Sequence, residues 1–139
     1  MFAMHKVANS AGISREPVSY LDIITRKGTG AAITTSTSPG INLAGNGGLI
    51  LTKNYNGTHS WSIVDTVRGI SSDLDVSTAG AATTQSTGIT AVSSTGYSTG
   101  TLAKRNGNAL DLVDYVMRQG PGFLQIIQRS ELGYESSIP

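Results

Sequence analysis

Residues 71–101 run for 31 positions with only five large apolar side chains, Leu74, Val76, Ile89, Val92 and Tyr97. The remainder is nearly all Ser, Thr, Gly, Ala and Gln. Gly loses backbone entropy in a helix, and Ser and Thr compete there for backbone hydrogen bonds. A long helix is therefore excluded. A structureless loop of this length would be unusual inside a compact domain. The tract is predicted to hold two or three short strands, around 74–76, 89–92 and 96–102. The same bias runs through the whole chain, where 33 of 139 residues are Ser or Thr and 17 are Gly. Such a chain favours short strands joined by turns.

The rest of the sequence reads in the same way. "VSYLDIITR" (18–26) alternates, with Leu21, Ile23 and Thr25 on one face and Tyr20, Asp22 and Ile24 on the other. "AAITTSTS" (31–38) is β-branched and polar, a second strand ended by Pro39-Gly40. "INLAGNGG" (41–48) reads as a short strand and a Gly-rich turn, and "LILTK" (49–53) as a strand buried on both faces. Asn56-Gly57 signals a hairpin. "HSWSIVDTV" (59–67) places Trp61, Ile63 and Asp65 on one face and Ser62, Val64 and Thr66 on the other, with Trp61 expected in the core. Asn106-Gly107 marks another turn. "ALDLVDYVMRQ" (109–119) fits helix or strand, and "PGFLQIIQR" (121–129) is expected to close the chain as a strand. Residues 1–18 show no sustained period and read as an N-terminal arm.

Charge narrows the functional classes. Charged residues are 14% of the chain and the net charge is +1; Arg26-Lys27 and Lys104-Arg105 are isolated pairs. No long-range field would attract nucleic acid or an anionic membrane. Without Cys there is no thiolate metal site, no disulfide framework and no cysteine nucleophile. No apolar run approaches the ~20 residues of a membrane helix.

Candidate chemistry is sparse. His59, Ser60 and Asp65 are residue types used in acyl transfer, but no nucleophile elbow surrounds the serine, and a hairpin beside a strand explains them. Asp73 and Asp75 have a spacing found in calcium loops, but the rest of such a loop is missing, so a solvent-facing pair is expected. Gly45-Asn46-Gly47-Gly48 precedes a strand and lacks the Lys-Ser/Thr of a phosphate loop. Nothing brings His5 and His59 together as metal ligands. Asp65 and Arg68 are expected to pair and lock the turn before Gly69.

"SYLDIITR" (19–26) and "GFLQIIQR" (122–129) align without a gap, sharing Leu, Ile, Ile and Arg, with Tyr20 opposite Phe123. They are either two strands of one sheet or the first strands of two tandem domain copies; the offset of 103 residues favours the second. The expected division is an arm over 1–18, a domain over 19–121, and over 122–139 a second repeat or a closing strand.

One stretch carries a resemblance. Gly47, Gly48, Leu49, Lys53, Asn54 and His59 are followed by Asp65, Arg68 and Gly69 of an Asp-x-x-Arg-Gly element, and later by Gly96 and Tyr97. This pattern resembles a domain repeated in tail-fibre and other virion structural proteins of tailed bacteriophages. It spans roughly residues 19–129 and departs from the family after Tyr97, where "LDLVDYVMRQ" replaces an aromatic-rich strand.

The resemblance implies an all-β fold, an antiparallel concanavalin A-like or jelly-roll-like β-sandwich with an extended N-terminal arm, and no cofactor or catalysis. It implies the N-terminal part of a tail fibre in a virion, docked on a tail adaptor or nozzle, homotrimeric, leading to a host receptor that could be a surface glycan. No nucleic acid or membrane insertion is expected. Phe2, Met4 and Val7 are the arm residues expected to dock. The alternatives are a capsid decoration protein seated on the major capsid protein, and a carbohydrate-binding module with Trp61 and Tyr97 as the sugar platform.

Overall fold

The computed structural model describes residues 19–129. Over these the chain is all-β and antiparallel, two sheets stacked as a sandwich. The expected arm, with Phe2, Met4 and Val7, and residues 130–139 lie outside the described residues.

The larger sheet has the order β1-β9-β3-β4-β5-β6, and the smaller β2-β8-β7. The large sheet uses β1 (Leu21–Lys27), β9 (Asp111–Arg118), β3 (Gly48–Asn54), β4 (Ser62–Asp65), β5 (Gly69–Asp75) and the two-residue β6 (Thr83–Thr84). The small sheet uses β2 (Ile33–Ser36), β8 (Gly96–Thr99) and β7 (Ile89–Val92). In the Ser/Thr-rich tract β7 and β8 thus form where its few apolar residues predict them; β5 meets the strand expected at 74–76 only at 74–75 and starts at Gly69, and β6 is additional. Among the described residues no helix is long and apolar enough to cross a membrane.

β9 settles the segment whose period was ambiguous. It lies between β1 and β3, pairing Ile23 with Tyr115 and Leu51 with Tyr115 in one register. Its alternation buries Leu112, Asp114, Val116 and Arg118 and leaves Val113, Tyr115 and Met117 half-exposed. In β3 likewise Ile50, Thr52 and Asn54 are buried while Leu49, Leu51 and Lys53 are half-exposed. β3 is therefore buried on one face, not both, because the small sheet covers only the inner side.

Three further expectations are corrected. Residues Leu43–Asn46 form a short helix, α1, not a strand: the Asn42 side chain accepts from the Gly45 amide at 2.7 Å and starts a helical turn. Asn106-Gly107 ends a second short helix, α2 (Ala103–Asn106). Residues 122–129 form no strand. Their one ladder contact is the bridge Gly120–Leu124. β1 already occupies that edge of β9, and the segment does not pair with β1's own free edge. Phe123 instead packs its ring against Tyr20, 5.4 Å between centroids, so the two matching segments meet at their aromatic ends without sharing a sheet.

The interior is divided. Ile41, Leu43, Ile50, Val64, Ile89, Tyr97 and Val116 make an apolar core, with Ile24, Ile70 and Val92 packed on it. One residue pair further along the strands, the inward positions turn polar: Thr52 lies opposite Asp114 on β9 and opposite Ser62 on β4. All three are fully buried.

Candidate functional site

Two groups of polar side chains have defined geometry. The first is the turn between β4 and β5. Asp65 ends β4, and its Oδ1 accepts from the backbone amides of Val67 (3.0 Å) and Arg68 (2.7 Å). Its Oδ2 accepts from Arg68 Nε at 2.5 Å. Gly69 follows with φ 102°, a conformation open to glycine and strained for other residues. One carboxylate thus fixes the turn, and the expected pairing of Asp65 with Arg68 is present. Upstream, Gly47 also has a positive φ, and a Cβ on Gly48 would sit 2.1 Å from the Met117 carbonyl oxygen. The glycine pair allows β3 to approach β9 closely.

The second group fills the polar half of the interior. Arg105, on α2, is fully buried. Its Nε donates to Asp73 Oδ2 at 2.9 Å and its Nη1 to Thr52 Oγ1 at 2.7 Å. Thr52 in turn donates to Asp114 Oδ1 at 2.6 Å. Asp114 Oδ2 accepts from Arg26 Nε and from the Tyr97 hydroxyl, each at 2.5 Å. Arg26 also donates to the Arg105 carbonyl oxygen at 2.6 Å. Asp73 accepts further from Lys104 Nζ (2.8 Å) and from Ser62 Oγ (2.6 Å). Asn106 donates to the carbonyl oxygens of Ala31 and Gly100, tying α2 to both ends of the small sheet's connections.

Electrostatics follow from this packing. Burial works to raise the Asp73 carboxyl, but Arg105, Lys104 and Ser62 outweigh it and hold the group below the ordinary carboxylate range. Burial, together with the neighbouring Asp114, pushes the Tyr97 hydroxyl far above its usual range, so it stays a donor. Burial also works to lower Arg26, but Asp114 reverses this and raises it. For Arg105 burial dominates and lowers it. Each acid faces a base at hydrogen-bond distance, and the members come from β1, β3, β4, β5, β8, β9 and α2. Chemically, such an arrangement braces two sheets against each other.

The sequence-predicted candidates fall elsewhere or change role. His59 is exposed and its carbonyl oxygen accepts from Lys53 Nζ; Ser60 is bonded to Ser77; Asp65 is held in its own turn. The three do not assemble. Asp73 is 1% exposed and ion-paired, so the solvent-facing pair expected with Asp75 is corrected: only Asp75 lies at the margin, bonded to Ser77. Tyr97 is 1% exposed with its ring in the core and cannot present a face to a sugar. Trp61 is half-buried on the outer face of the large sheet, 6.2 Å from the Tyr115 ring, not in the core between the sheets. The sequence reading missed Arg26, Thr52, Tyr97 as a hydrogen-bond donor, Arg105 and Asp114. A signal was present in β9: read as a strand, 112–118 puts Asp114 on the same face as Leu112 and Val116.

The family described as "Domain of unknown function (DUF7483)" matches residues 16–123. The chain belongs to this family. No curated protein matches it, and no solved structure does. The DUF7483 stretch begins just ahead of β1 and ends inside the Gly120–Leu124 bridge. It contains the whole interior network and the Asp65–Arg68–Gly69 turn.

Proposed function

We propose that this DUF7483 chain is a virion structural protein of a tailed bacteriophage, the N-terminal part of a tail fibre that anchors it to the tail and leads to host-receptor binding. The observation that carries the reading is the fate of the residues on which the resemblance rests. Gly47 and Gly48 set the approach of β3 to β9, Asp65, Arg68 and Gly69 lock the β4–β5 turn, and Tyr97 joins the two sheets through Asp114. These six build the frame, as residues of a mechanical building block would. The same is true of the buried charges, whose hydrogen bonds go to one another and not to a cleft. On this reading the protein is not an enzyme and takes no cofactor.

The test is gold-labelled electron microscopy of purified particles with an antibody to this chain. Label at the tail is the expected result. Label spread over the capsid would replace the fibre with a decoration protein, and particles without label would remove the virion reading.

A further inference from the structure

The large sheet has an outer face that its own sandwich does not cover. An antiparallel sheet with one face on the core normally alternates apolar inward and polar outward. Here two adjacent outward rows are largely apolar as well. One cross-strand row runs Ile23, Tyr115, Leu51, Ile63, Leu74 over five strands without a polar residue. The row beside it pairs Leu21 with Met117 and Met117 with Leu49. Trp61 adds its ring beside Tyr115. Ile23 is 55% exposed and Leu21 42%.

From this we infer that the outer face of the large sheet is a self-association surface, occupied by the same face of a second copy of this chain. Size is the first argument. Five strands about 4.8 Å apart, four of them seven or eight residues long and β4 four, give a footprint of roughly 550 Å² per copy, so a pair buries roughly 1,100 Å². That passes the ~1,000 Å² a specific interface needs, whereas one extended chain segment covers a width of only about one strand, roughly 5 Å. Charge is the second. Of the charged outward side chains, Lys53 and the Lys27–Asp111 pair stand at one end of the strands and the Asp65–Arg68 pair at the other, where a rim would lie. The two apolar rows meet their own copies without burying an unpaired charge. Asp65, the acid at the end of the Leu49 row, is already held by Arg68. Two such faces pack as sheet on sheet, about 10 Å apart, with side chains interdigitating.

The experiment is sedimentation velocity of the full chain across a wide concentration range, on the wild type, on Ile23→Lys and on Leu51→Lys. Thr34→Lys, on the exposed side of the small sheet, serves as the control. Self-association is expected for the wild type and the control, weakened by about tenfold or more in each outer-face variant. Ile23 lies on an edge strand and is more than half exposed, so Ile23→Lys keeps the fold; an unchanged circular dichroism spectrum checks this. A wild type that stays monomeric throughout, or association that persists in a folded Ile23→Lys variant, would overturn the inference. The surface does not depend on the virion reading, and particles without label would leave it standing.

Discussion

Asp65 shows how much one side chain can organise. It accepts two backbone amides and one guanidinium within four residues. Asp65→Ala leaves those donors unpaired near the surface, and a loss of about 1–2 kcal/mol is expected in urea unfolding. Gly69 isolates the backbone contribution. A Cβ there meets nothing within 4 Å, so Gly69→Ala tests conformation alone. At φ 102° the expected cost is about 1–2 kcal/mol. An unchanged denaturation midpoint would contradict the conformational argument. Tyr97 gives a pH-dependent case. Its folded hydroxyl ionises well above the ordinary range, so its contribution is complete below about pH 10, the unfolded value. It is lost as pH rises beyond that, because the unfolded chain releases a proton the folded chain retains. Tyr97→Phe should lower stability at neutral pH and shrink the alkaline decline.

At the level of elements, the sequence was informative where side chains alternate over several residues. β1, β4 and the short strands of the Ser/Thr-rich tract follow that pattern. In β9 the pattern was present but mixed, since Asp114 and Arg118 share the inner face with Leu112 and Val116. An acid on a core face is readable only if its partner is known, and Arg26 comes from a strand 88 residues away while Tyr97 comes from the other sheet. α1 was missed because a single turn started by Asn42 has no period to read. For 122–129 the pattern is strand-like, but the chain closes on itself in the Gly120–Leu124 bridge and does not pair with the free edge of β1. The pairing of α2 with the large sheet is open to a mutational cycle. Arg105→Met leaves Asp73 buried with a partner removed, and a loss of about 3–5 kcal/mol is expected. Combining it with Asp73→Leu should cost less than the sum of the single variants, since both charges then go together. Strict additivity in urea unfolding would separate the two residues energetically.

For the whole molecule, composition pointed to many short strands, and the resemblance to a sandwich; both agree with two stacked antiparallel sheets. Neither foretold that half of the interior would be polar, or that the outer face of the large sheet would be apolar. Low overall charge hides both features, because a low total does not say where the few charges sit. Arg26, Asp73, Arg105 and Asp114 lie in the interior network, where water would ordinarily be their partner. The central claim is that this network braces the sandwich, Asp73–Arg105 holding α2 to the large sheet and Tyr97–Asp114 joining the sheets. Asp73 ionises below the usual carboxylate range in the folded chain, so its stabilisation is complete above about pH 4, the unfolded value. It is lost as pH falls through the lower folded value, because the unfolded chain takes up the proton first. The most direct measurement is urea unfolding against pH, for the wild type and for the Asp73→Leu, Arg105→Met double variant. The expected wild-type curve falls on the acid side below about pH 4, and the double variant shows a clearly smaller fall. Superimposable acid limbs for the two proteins would mean that the Asp73–Arg105 pair does not brace the sandwich.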